Sequence, residues 1–267
     1  MYIEVTDGVK LHITDQGNGK PIVFIHGWPE NDEIFRDHYG PLVEQGYRVV
    51  GITMRGYGLS DRTPGKYNFD TFSLDILEVI KVLDLNDVTL VGFSMGGAIA
   101  AHCIAVYKPA VISKLVLVAA NVPFTLSQGN FKEGPSKENV DDAIAAILSD
   151  RASMVNVYGG IFQLDENFMP RETGDWINRI NLEASMEATV DGLAMLRDMN
   201  LLPVLHQIKI PTALFNSIND NVVSYELAKL TNAEIPNSFI VDFEIGGHWL
   251  LFIEREKFLR ELINFIC

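Results

Sequence analysis

Residues 88–105 read VTLVGFSMGGAIAAHCIA. The first six are apolar or β-branched with no polar alternation, as expected of a strand buried on both faces. The residues after Met95 are small and helix-compatible. Between strand and helix lies Gly92-Phe93-Ser94-Met95-Gly96, a G-x-S-x-G run. Glycines at 92 and 96 carry no side chain, so the backbone can reverse sharply without a steric clash. Such a corner lifts the Ser94 hydroxyl above the carboxyl edge of a sheet, the arrangement of a nucleophile elbow. It also leaves the Met95 N–H at a helix N-terminus, where it can donate to a developing oxyanion.

The same rhythm extends in both directions. Before the elbow, YIEV and VKLHIT flank Asp7-Gly8 as an opening hairpin, followed by the strands PIVFI and YRVVGIT, with a helix over 32–45. Residues 70–84 carry apolar side chains at helical spacing, with Asp70 or Thr71 as cap. After the elbow come KLVLVAA, IPTALFNS and SFIVDFEI as strands, a helix near 224–233, and an amphipathic helix over about 249–265. Strand and helix alternate, which implies a mostly parallel sheet with helices on both faces. The alternation stops between 121 and 207, where DDAIAAILS and SMEATVDGLAMLRDM read as helices and no strong apolar strand appears. This stretch is expected to be a helical insertion, leaving 1–120 and 208–267 as the core.

A serine hydroxyl is a poor nucleophile at neutral pH and needs a base. Of the six histidines, His248 lies in Gly246-Gly247-His248-Trp249, a loop after a late strand. His12, His38, His102 and His206 fall in elements where packing or surface roles are expected. The base in turn needs an orienting acid. Asp220 follows the strand IPTALF; Asp242, inside the next strand, is its rival. A second oxyanion donor is expected from His26-Gly27-Trp28-Pro29, after PIVFI, through the Trp28 N–H. Pro29 stiffens that loop, and His26 is expected to bond nearby backbone.

Composition bounds the partners. With 35 acidic and 21 basic residues the chain carries −14. Nucleic acid and anionic membrane surfaces are therefore disfavoured. Hydrophobic residues make up 48%, enough for a sizeable core. Cys103 and Cys267 are too few for a disulfide framework, which fits a reducing, cytoplasmic setting. No signal peptide or membrane span is read. No H-E-x-x-H or phosphate-binding glycine loop appears, so no metal or cofactor is expected.

Taken together, HGWP, RGYGLSDR (55–62), YNFDTFSLDI (67–76) and DVTLVGFSMGGA (87–98) resemble the α/β-hydrolase superfamily. Within it the chain resembles the cofactor-free haloperoxidase, perhydrolase and aryl-esterase group over nearly its whole length. The resemblance implies an eight-stranded, mostly parallel sheet with a helical cap. It implies Ser94, Asp220 and His248 as triad and the Trp28 and Met95 N–H groups as oxyanion hole. Within the resemblance Pro29, after the oxyanion tryptophan, implies perhydrolysis beside ester hydrolysis. The chain departs from the group at Thr53, Ser224, Asn216-Ser217 and Asn121.

The chemistry implied is acyl transfer through an acyl-enzyme. Trp28, Pro29, Phe93, Asn121, Phe124, Phe162 and Trp249 are expected around the substrate, a small uncharged ester or lactone. Enol-lactone or carbon–carbon bond hydrolysis uses the same triad, and a small-molecule receptor could retain it. A dehalogenase would want aspartate at position 94. A homo-oligomer is compatible with the sequence.

Overall fold

The computed structural model of the chain describes residues 1–154 and 169–267. Eight strands form one sheet: β1 (Tyr2–Glu4), β2 (Lys10–Gln16), β3 (Pro21–Ile25), β4 (Arg48–Ile52), β5 (Val88–Phe93), β6 (Ile112–Val118), β7 (Thr212–Ser217) and β8 (Ser238–Phe243). Their spatial order is β1-β2-β4-β3-β5-β6-β7-β8. The first two run antiparallel to their neighbours and the rest are parallel. From β3 the chain steps to β4 on one side, then crosses to β5 on the other. The carboxyl ends of β3 and β5 therefore flank the point where strand order reverses, the place where open α/β sheets bind ligands.

Side chains of successive strand residues alternate between two apolar layers. Val23, Ile25, Leu90, Leu115 and Leu117 belong to one, which also holds Phe72, Ile76 and Val79 of the helix Phe69–Val82. Phe24, Val91, Val116 and Val118 belong to the other, with Leu42 of the helix Arg36–Glu44 and Phe258 and Leu262 of the helix Arg255–Ile266. Helices thus cover both faces, and β3 and β5 are buried throughout.

Several element ends differ from the sequence reading. The helix expected over 70–84 spans Phe69–Val82, and its cap is Asn68, whose side chain accepts from the Thr71 N–H at 2.9 Å. The terminal helix breaks at Glu254, because that side chain turns back to accept from the Ile245 and Gly246 N–H groups at 3.0 and 2.8 Å. Between β6 and β7 the helices Lys137–Ser149 and Met186–Asp198 match the apolar periodicity. The helix Arg171–Asn181 does not appear in the sequence reading. Its buried face is short (Gly174, Ile177, Ile180 and Asn181), and charged residues surround it.

Two departures from the resembled group have local explanations. Thr53, where the resembled group usually has an aspartate, donates its hydroxyl to the buried carboxylate of Asp32, which the neighbouring helical turn supplies. Ser224 caps the helix Tyr225–Glu234 by accepting from the Glu226 N–H at 3.1 Å. Arg55 and Asp75 form a fully buried, two-pronged ion pair at 2.6 Å that ties the 55–62 loop to the helix beneath it.

Candidate active site

The corner after β5 is built as its glycines require. A side chain on Gly92 would run into the backbone of Gly96, and one on Gly96 into the carbonyls of Ile25 and His26 at the end of β3 and just after it. Ser94 sits between them at φ 53°, ψ −117°, a conformation L-residues avoid at a cost of about 1–3 kcal/mol. Surrounding bonds hold it there. Its N–H donates to Val118 O at 2.9 Å, and its carbonyl accepts from Gly97 and Asn121 N–H groups.

His248 reaches this corner from the loop after β8. Its Nε2 lies 3.2 Å from Ser94 Oγ, and its Nδ1 lies 3.0 Å from Asp220 Oδ2. All three residues are buried. The other carboxylate oxygen of Asp220 accepts from the Val222 and Val223 N–H groups at 2.8 and 2.9 Å, which fixes the plane of the acid. Asp242, the rival, lies on exposed β8 and bonds Tyr225 instead.

The loop after β3 lies beside Ser94. His26 accepts from the Met54 N–H at Nε2 (3.0 Å), so its Nδ1 donates to Gly27 O (2.7 Å). Burial pushes this imidazole down to about 4, which keeps it neutral. It holds the loop rather than exchanging protons. Trp28 donates its indole N–H to Thr189 O at 2.8 Å, and Tyr57 donates its hydroxyl to Ala188 O at 2.9 Å. The helix Met186–Asp198 is thereby fastened over the site. Gly192 on this helix lets the two elements meet, since an added Cβ would lie 2.6 Å from Tyr57 Oη and 3.0 Å from Trp28 Cδ1. The Met95 N–H is the first of the helix after Ser94 and has no partner within the helix itself.

Ser94 opens onto a cavity of about 230 Å³ with mostly apolar walls. Trp28 and Asn121 line it, together with Val140, Leu193, Leu196 and Val222. The other expected pocket residues go elsewhere. Phe93 is fully buried beneath the site, with its ring 5.1 Å from that of His248 and 5.5 Å from that of Trp249, where it supports the histidine. Strand alternation turns it into the layer opposite Ser94's cavity. Trp249 belongs to the same layer. Phe124 packs with Phe131, Val223 and Leu227 in a separate cluster. Pro29 is buried and is absent from the cavity lining. Phe162 lies outside the described residues.

Three neighbours of the site have no site role in the sequence reading, which names Ser217 only as a departure from the resembled group. Ser217 Oγ accepts from the Gly247 N–H at 3.0 Å, and Glu254 holds Ile245 and Gly246, so the histidine loop is anchored from both sides. Glu30, directly after HGWP, is buried, and that burial pushes its carboxyl well above the usual range despite a bond from the Gly27 backbone. Glu30 has a sequence cue in its adjacency to the loop, and Ser217 one in the departure at Asn216-Ser217. The contacts of Ser217 and Glu254 depend on distant segments meeting. Among the described residues no three His, Cys, Asp or Glu side chains converge as metal ligands would, and no helix is long and apolar enough to cross a membrane.

Comparison with known proteins follows the same lines. A family model described as alpha/beta hydrolase fold matches residues 20–254. The AB hydrolase superfamily protein YisY of Bacillus subtilis is 35% identical over 256 residues, covering 96% of this chain and 95% of that protein. The non-heme chloroperoxidase CPO-A1 of Kitasatospora aureofaciens is 30% identical, covering 97% of each. An esterase structure from Exiguobacterium antarcticum superposes with a TM-score of 0.95 at 35% identity, covering 100% of this chain and 98% of that one.

Proposed function

This chain belongs to the alpha/beta hydrolase fold family, and on that footing we propose that it is a serine hydrolase of small, uncharged carboxylic esters. The observation that carries the reading is the line Ser94 Oγ, His248 Nε2, His248 Nδ1, Asp220 Oδ2, with gaps of 3.2 and 3.0 Å, opening on an apolar cavity. His248 takes the Ser94 proton as Oγ attacks the ester carbonyl. Asp220 holds the imidazole in the tautomer with Nδ1–H and stabilises the imidazolium that forms. The N–H groups of Met95 and Trp28 receive the oxyanion; each such donor contributes about 3–4 kcal/mol to the transition state. His248 returns the proton to the leaving alcohol, then activates water to release the acid. Residues 121–207 act as the cap that shapes the acyl pocket and limits water.

Multiple turnovers of p-nitrophenyl acetate, lost in Ser94→Ala, test the reading. A single slow turnover with the chain otherwise intact would favour a receptor. Perhydrolysis is a second activity of the same acyl-enzyme, with hydrogen peroxide replacing water as acceptor. Pro29 beside Trp28 and the likeness to a non-heme chloroperoxidase favour it.

A further inference from the structure

Asn121 stands where the resembled group leads one to expect a small apolar residue, and it reaches the nucleophile. The Ser94 hydroxyl has one hydrogen and two acceptors in reach, Asn121 Oδ1 at 3.1 Å and His248 Nε2 at 3.2 Å. The residue is buried, and its backbone N–H is committed to Ser94 O. Its amide is therefore held against the reacting atom at the mouth of a cavity that is otherwise mostly apolar. A second polar group on the same loop, the Thr125 hydroxyl, is buried without a hydrogen-bond partner, and Thr125 lines that cavity too.

Acylation removes the Ser94 hydroxyl hydrogen. Asn121 Oδ1 then has no Ser94 hydrogen left to accept inside a buried site, which is unfavourable unless the acyl group supplies one. The atoms of an acyl group nearest to Ser94 Oγ, beyond the carbonyl itself, are those on the adjacent carbon. A hydroxyl there can donate to the amide oxygen, or accept from the amide nitrogen if the group turns over. A methylene can do neither. The cavity volume of about 230 Å³ also fits a compact acid. A benzene ring occupies an apolar cavity of about 150 Å³, which leaves room for one substituted carbon beside it.

We infer that Asn121 makes this enzyme selective for esters of 2-hydroxy acids with a short alkyl or aryl substituent. The inference rests on the serine-esterase reading and adds the substrate class to it.

The test is a pair of matched comparisons followed in a pH-stat: ethyl lactate against ethyl propanoate, and methyl mandelate against methyl phenylacetate. Each kcat/KM ratio is divided by the ratio for hydroxide-catalysed hydrolysis, which removes the intrinsic reactivity of the hydroxy ester. The natural protein should favour the hydroxy member of both pairs by about tenfold, as expected when a buried acceptor is otherwise left unpaired. Asn121→Ala and Asn121→Val should bring the corrected ratio to about one, chiefly by raising turnover of the plain esters relative to the hydroxy esters. A corrected ratio near one in the natural protein overturns the inference by itself, whatever the variants do. So does a preference that survives in a folded variant. In both cases hydrolysis of all four esters leaves the esterase reading standing, whereas no Ser94-dependent turnover of any of them removes that reading and this inference with it.

Discussion

The Gly247 N–H donates to Ser217 Oγ across 3.0 Å, joining the residue before His248 to the last residue of β7. Asp220 follows β7 and His248 follows β8, so this bond ties the segments carrying these two hydrogen-bonded side chains. Ser217→Ala should leave the fold intact at a cost of about 1 kcal/mol. It should lower kcat about tenfold with little change in KM, because the imidazole loses its fixed approach to Ser94. Steady-state kinetics beside a urea titration would check this. A fall in KM affinity without a fall in kcat would refute it.

Gly192 is the point where the helix Met186–Asp198 meets Trp28 and Tyr57. Gly192→Val would push against Tyr57 Oη, which is buried and already bonded to Ala188. Overpacking of this kind costs about 1–3 kcal/mol, and the helix should lift from Trp28. The expected result is a lower melting temperature and a larger loss of kcat/KM than of stability. Unchanged kinetics would mean that the position of this helix does not govern the site.

Two buried imidazoles predict the acid limit of stability. Burial pushes His26 and His38 from 6.5 down to about 4. Between those values the unfolded chain binds protons that the folded chain refuses, so stability falls as pH drops through this window. Each histidine accounts for about 3 kcal/mol once the pH is below both values. His38→Gln should flatten the slope of unfolding free energy against pH between 6.5 and 4 by one proton's worth. Parallel curves for variant and natural protein would contradict the assignment.

Pro29 bears on the choice of acyl acceptor. Its carbonyl, next to Trp28, is the group expected to accept a hydrogen bond from peroxide. In Pro29→Leu the ratio of peroxide to water captured from a common acyl donor should fall severalfold, with ester hydrolysis retained. An identical ratio in both proteins would remove perhydrolysis from the account.

Much of this molecule is legible before folding. The eight strands, their alternation with helices and the elbow at Ser94 follow from local rules, since apolar runs and glycine at a corner mean the same thing wherever they occur. Chain order alone was enough to put Asp220 and His248 after β7 and β8. The helix Arg171–Asn181 escaped because its apolar face, though periodic, is short, with three large apolar residues (Trp176, Ile177 and Ile180) among charged and polar ones. Likewise Phe93 reads as a pocket residue by adjacency, yet the pleat sends it beneath His248.

By itself, then, the sequence determined which backbone must turn at Ser94 and which residue types stand ready around it, because steric allowance and hydrophobic pattern are properties of short segments. Only the tertiary structure decided that Asn121 touches Ser94 Oγ, that Ser217 and Glu254 brace the His248 loop, and that Trp28 and Tyr57 fasten the overlying helix. Those are contacts between segments far apart in the chain, and their geometry is set by how the layers pack, which no local pattern records.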